Sequence, residues 1–228
     1  IAVCSRFFCA PRRPLLYRPR LFLVTPPEFD TADMAAKLKQ AFTGGDIACV
    51  MIYRPGASTK DLQAAASELV PIIQEGGAAA IVYRDTQAAG RSGADGVHVD
   101  TSLEDLKLAV ESFKPDRIVG TGGTKLKHDS MEWAETGVDY IFFGKLDLPE
   151  KAEAHDRTLS SASWWAELFE TPCVALAGNT LETLGDVAAT GADFVALKDA
   201  AWQPDTDISS VIAEANRILD AHPFPEVE

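Results

Sequence analysis

From Arg20 onward the chain repeats one unit: a short run of β-branched, aromatic and small apolar residues, then a segment whose apolar residues recur every three to four positions. This alternation predicts strand-helix units on a parallel sheet, because parallel neighbours can only be joined by a crossover, and an amphipathic helix is the crossover that covers the sheet. Eight runs read as strands: RLFLVTP from Arg20, IACVMIYR from Ile47, AAAIVYRD from Ala78, GVHVD from Gly96, RIVGTGG from Arg117, DYIFFGK from Asp139, PCVALAGN from Pro172 and DFVALKD from Asp193. They are almost continuously apolar, as strands covered on both faces must be. Between them, Leu103, Leu106, Val110 and Phe113 share one helical face, as do Ile208, Val211, Ile212, Ala215 and Leu219.

Helix boundaries are also marked. Ser58, Ser102, Thr180 and Asp207 stand where N-caps are needed, and Gly44, Gly76, Gly137 and Gly191 where helices should stop. Eight such units in a chain of 228 residues predict a single α/β domain, a (β/α)8 TIM barrel over residues 20–228. A doubly wound open sheet stays open as the second architecture, since strand count does not show closure. Residues 1–19 read as an N-terminal extension outside the fold, either an upstream remnant or a targeting peptide rich in arginine and free of acids.

Charge narrows the partners. All 34 acids follow Arg20, whereas five of the 21 cations stand at or before it, so the folded part is more acidic than the net charge of -13 states. Such a surface repels nucleic acid and anionic membranes. No apolar run is long enough to span a bilayer, because polar residues interrupt each within about ten residues. Cys4, Cys9, Cys49 and Cys173 have neither CxxC spacing nor a nearby histidine to complete a zinc site, and read as reduced thiols of a cytoplasmic protein. A homo-oligomer is left open.

In a barrel the functional residues lie at the C-terminal strand ends. There this acidic chain places four cations, Arg54, Arg84, Lys145 and Lys198, the residue types that a small phosphorylated metabolite requires. The turn after the seventh strand, Gly178 and Asn179 leading into Thr180, presents backbone N–H groups to an anion. Lys198 either adds charge to that phosphate site or pairs with Asp199 or Asp193. His98, inside GADGVHVD, sits too far down its strand for catalysis and is expected to hydrogen-bond in the core, while Gly93 and Gly96 supply the turn by positive φ.

RLFLVTP, AIVYRD followed by GADGVHVD, RIVG, GVDYIFFG, PCVALAGNT and TGADFVAL, in this order from Arg20 to about Trp202, resemble the thiamine-phosphate synthase and thiazole tautomerase family. The resemblance implies a TIM barrel binding phosphorylated thiazole and pyrimidine precursors, with Mg2+ holding a pyrophosphate if the synthase reaction is retained. It also implies positions that this chain does not match. The family's Arg-acid-Lys after the second strand is represented by Arg54 alone. Tyr83 and Arg84 align with Asn-Asp, whose aspartate binds magnesium, and Asp85 follows one residue late. The second metal aspartate aligns near Leu103, leaving Asp100 either to reach a cation or to cap the turn into TSLED. Gly122 and Thr124 stand for the Gly-x-Ser of the fifth strand; the tautomerase histidine is absent, and His128 reads as a solvated helix residue. KLDLPEKAEAHDR replaces a Thr-x-Thr-Lys phosphate loop. On this resemblance Arg54, Tyr83 and Arg84 would bind substrate, Gly178, Asn179 and Lys198 a phosphate, and Asp85 and Asp100 are the weak metal candidates. Two functions follow: an enzyme of thiamine biosynthesis with a transferase ancestry, or a non-catalytic or altered relative that binds an organic phosphate.

Overall fold

The computed structural model describes residues 18–204 and 206–224, so the reading of residues 1–17 as an extension or targeting segment, with Cys4 and Cys9, lies outside the described residues. Eight parallel strands close in chain order: β1 (Arg20–Val24), β2 (Cys49–Ile52), β3 (Ala79–Tyr83), β4 (Gly96–His98), β5 (Ile118–Gly122), β6 (Tyr140–Phe143), β7 (Cys173–Leu176) and β8 (Phe194–Leu197). Pairing of β1 with β8, Leu21 opposite Val195, completes the ring and rules out an open sheet. The helices between them are α1 (Thr31–Ala41), α2 (Thr59–Glu75), α3 (Thr86–Ser92), α4 (Leu103–Phe113), α5 (Lys127–Ala134), α6 (Asp156–Leu168), α7 (Leu184–Ala188) and α8 (Ile208–Asp220).

Strand alternation divides the core in two. Phe22, Met51, Ile81, Tyr140, Phe142, Val174 and Phe194 fill the barrel interior, whereas Leu23, Val50, Val82, Val119 and Val195 turn outward beneath the helices. Side-chain caps start the helices as their residue types require: Ser58 accepts from Asp61 N–H, Ser102 from Asp105 N–H, and Asp207 from Ser209 and Ser210 N–H. Thr180 departs from that pattern, making no side-chain cap and donating instead to Ala152 O at 3.2 Å.

One tripeptide sets the strand register three times. Gly93-Ala94-Asp95, Gly137-Val138-Asp139 and Gly191-Ala192-Asp193 precede β4, β6 and β8, each glycine at positive φ. The turn aims each aspartate at the preceding odd strand, where Asp95 accepts from Ala80 N–H (2.7 Å), Asp139 from Val119 N–H (2.8 Å) and Asp193 from Cys173 N–H (2.9 Å). A buried amide at the barrel floor thus gains a charged acceptor. Gly96 differs from the expected turn role: it lies in β4, and a Cβ there would fall 2.2 Å from Ile118 O, so its smallness rather than its φ is what the barrel uses.

Arg18 and Pro19, expected to fall outside the fold, are buried at the barrel floor, and Arg18 donates to Asn216 Oδ1 at 2.8 Å and pairs with Asp220. Cys49 and Cys173 are buried. Among the described residues, no helix is long and apolar enough to cross a membrane.

Candidate functional site

The inward phase of the strands ends, at the C-terminal mouth, in Tyr53, Tyr83, His98 and Lys198. The arginines singled out from the sequence stand one residue later and leave the interior. Arg54 lies over the Phe29 ring, 4.9 Å from its centroid, and Arg84 over Tyr83 at 4.6 Å. Both guanidiniums therefore flank the mouth on aromatic faces.

His98 is 1% exposed and its ring lies between those of Tyr83 and Tyr140, its Nδ1 3.0 Å from Tyr140 Oη. Burial holds its pKa down to about 4, so it is a neutral core residue in the physiological range. This is the structural role expected for it, although His98 is the last residue of β4 rather than lying low in the strand.

Tyr83, Arg84 and Asp100 form one unit on the β3–β4 side of the mouth. Asp100 accepts from Tyr83 Oη at 3.0 Å and from Arg84 Nε at 2.5 Å. Arg84 adopts φ 62°, left-handed backbone that is strained for a non-glycine residue, while its N–H donates to His98 O at 2.7 Å. That turn sends Asp85 to cap α3, where its carboxylate accepts from Ala88 N–H. Asp100 does not cap the TSLED turn; Ser102 does. Burial, and then the Asp100 charge, push the Tyr83 phenol well above its ordinary range.

These residues do not fit the magnesium site that the resemblance implies. The carboxylate of Asp85 is engaged at a helix N-terminus, and Asp100 is held by a guanidinium. Among the described residues, no group of three or more His, Cys, Asp or Glu side chains is arranged to hold a metal ion.

On the opposite side the chain covers its own mouth. The connection between β6 and α6 folds inward: Leu146 is buried over the barrel interior, and its carbonyl accepts from Tyr53 Oη (3.0 Å) and Lys198 Nζ (3.3 Å). Lys198 also donates to Leu148 O at 3.5 Å. The Glu150 carboxylate then lies 3.4 Å from Lys198 Nζ and accepts from Asp199 N–H at 3.2 Å. Asp199 flanks Lys198 at 3.6 Å, whereas Asp193 is committed to the floor of β7. Burial, then the Asp199 charge, raise the Glu150 pKa to about 6 even with the lysine adjacent.

The turn after β7 is occupied by the same segment. Gly178 N–H donates to Thr183 Oγ1 (3.1 Å), Asn179 N–H to Lys151 O (2.8 Å) and the Asn179 amide to Glu150 O (3.2 Å). A Cβ on Gly178 would stand 2.3 Å from Ala152 O. The three residues expected to take a phosphate are thus brought together, with Glu150–Ala152 lying on them. Sequence reasoning missed Glu150 and Leu146; their signal is two leucines and a carboxylate inside a connection otherwise polar enough to read as a loop.

Beside this segment a cavity of about 490 Å³ extends from Phe142, Gly144 and Lys145 to His155, Arg157 and Ser161. His128 is exposed on α5, away from it.

A family model described as thiamine monophosphate synthase matches residues 21–201, from β1 past the end of β8. A thiamine-phosphate synthase of Rhodospirillum centenum is 34% identical over 202 residues, covering 88% of this chain and 97% of that protein. Another, of Hyphomonas neptunium, is 27% identical over 210 residues, covering 90% and 95%. Among solved structures, a thiamine phosphate pyrophosphorylase from Pyrococcus furiosus superposes with a TM-score of 0.74 at 21% identity, over 90% of this chain and 97% of that one.

Proposed function

Because the chain belongs to the thiamine monophosphate synthase family, we propose that it binds phosphorylated thiazole or pyrimidine precursors of thiamine at the C-terminal mouth of its barrel. The observation that carries this reading is the Lys198 ammonium and Asp199 N–H beside the β7 turn, together holding a carboxylate where an anionic ligand of the barrel would lie. A substrate phosphate, with more charge and more acceptor oxygens than Glu150, displaces that carboxylate and lifts the Leu146–Ala154 segment. Arg54 and Arg84 then face the other end of the ligand, with the Tyr83 ring supporting Arg84 from beneath.

In this reading most positions of the standard synthase chemistry are replaced. A second reading, binding of an organic phosphate without turnover, is favoured by the Arg84–Asp100 pair, which engages one of the two carboxylates that a metal could use. The test is direct: the protein is incubated with pyrimidine pyrophosphate, thiazole phosphate and magnesium, and thiamine phosphate is measured. Product above background selects the enzyme. A rise in melting temperature with thiazole phosphate but no product selects the binder, and neither result removes both.

A further inference from the structure

Between the β5–α5 connection and the start of α6 lies a second hollow of about 310 Å³, bounded by Thr124, Lys125, Leu126, Lys127, Ser130, Phe143, Arg157, Ser160 and Ser161. It opens outside the ring of strands, on the helix layer, and it adjoins the larger cavity through Lys125 and Arg157. Its chemistry is unlike the rest of the molecule. In a chain with 34 acids, no carboxylate lines it, while three cations and four hydroxyls do.

None of the three cations has a carboxylate within ion-pair distance among the described residues. Acids near in sequence are turned away: Asp129 accepts from Leu126 N–H at its own helix start, and Asp156 borders only the larger cavity. Lys127 is held in place by the Trp164 ring, its Nζ 4.4 Å from the centroid. At the inner side the Thr124 and Ser130 hydroxyls are 2.6 Å apart, and Ser130 is buried. Three positive charges around one small hollow repel one another, and a multivalent anion relieves that repulsion while accepting from a guanidinium fork, two ammoniums and the Ser161 hydroxyl. The volume is at the lower limit of small-molecule pockets.

We infer that this hollow is a binding site for a phosphate or pyrophosphate group, with Arg157, Lys127 and Lys125 as its cations and Ser161 as its hydroxyl partner. It stands on the cleft's own residues and does not depend on the mouth being a thiazole phosphate site. Its position beside the mouth allows a second anionic group to be held while the first is at Lys198.

The full chain is titrated at low ionic strength with inorganic phosphate, pyrophosphate and thiazole phosphate, each followed by calorimetry and by tryptophan fluorescence, which reports the Lys127–Trp164 contact. The same titrations are run on Arg157→Ala, Arg157→Lys, Lys127→Ala and, as the mouth control, Lys198→Ala. The expected result is saturable pyrophosphate binding that weakens by about tenfold or more in Arg157→Ala and Lys127→Ala, recovers in part in Arg157→Lys, and keeps in Lys198→Ala the component that those variants remove. Binding of inorganic phosphate with the same variant pattern assigns the site to the free anion; binding of thiazole phosphate alone assigns it to the ester. Saturable binding lost only in Lys198→Ala, or no saturable binding of any probe, overturns the inference, and the former leaves the mouth reading standing.

Discussion

The Glu150 carboxylate and the Lys198 ammonium face each other at 3.4 Å across the barrel mouth, each side chain only 5% exposed. A charge at this depth is tolerated because its partner is there, and the pair joins β8 to the connection that follows β6. The same contact shuts the site and fixes the geometry of its covering segment.

Removal of one partner is therefore expensive. Lys198→Ala leaves Glu150 buried beside Asp199 and should lower unfolding free energy in urea by about 3 kcal/mol. The double variant Glu150→Leu with Lys198→Met should recover most of that loss, because two well-packed apolar side chains carry no uncompensated charge. Equal loss in the single and double variants would show that the pair is incidental.

His98 contributes to the acid side of the stability curve, where Glu150, with its pKa raised to about 6, acts in the opposite sense. The folded pKa of His98, about 4, lies below its ordinary 6.5, so the unfolded chain takes up this proton first. Stability from neutral His98 is complete above pH 6.5 and is lost as the pH falls towards 4, by on the order of 3 kcal/mol at most. His98→Gln, which can still meet Tyr140 Oη, should flatten the unfolding midpoint against pH over that window. An unchanged slope would place the titration elsewhere.

The Gly-x-Asp register device predicts a graded series at β8. Asp193→Ala strands the buried Cys173 N–H and should cost about 1–3 kcal/mol, measured by thermal unfolding. Asp193→Asn keeps an acceptor and should cost less. Similar values for both would mean that the hydrogen bond is not what the aspartate contributes.

Arg84 separates stability from binding. Its ion pair with Asp100 is solvent-facing on the arginine side and contributes at most about 1 kcal/mol, so Arg84→Ala should barely move the melting temperature. On the proposed function it should weaken thiazole phosphate binding by about tenfold. Unaltered affinity would remove Arg84 from the site.

Much of the architecture was legible in the sequence because it is local. All eight strands lie within the runs read from the sequence, and Ser58, Ser102 and Asp207 cap helices as their chemistry predicts. Closure of the barrel, which strand count left open against a doubly wound sheet, comes from the pairing of β1 with β8, and it accounts for the spatial meeting of Gly178, Asn179 and Lys198. What escaped depends on phase or on distance along the chain. Tyr53 and Tyr83 take the inward strand positions, so the arginines after them flank the mouth. The left-handed turn at Arg84 diverts Asp85 into a cap, and Asp100 is claimed by an arginine 16 residues away in sequence. Glu150 becomes part of the site only because a connection folds back over β8, which no local pattern encodes.

The account's central claim is that a phosphorylated thiamine precursor enters by displacing Glu150 from Lys198. Calorimetric titration of thiazole phosphate into the wild-type protein, Glu150→Gln and Lys198→Ala tests it most directly. The account predicts one-site binding that tightens by about tenfold when the competing carboxylate is neutralised and is abolished without the lysine. Equal affinity in all three proteins, or no binding in any of them, would contradict it.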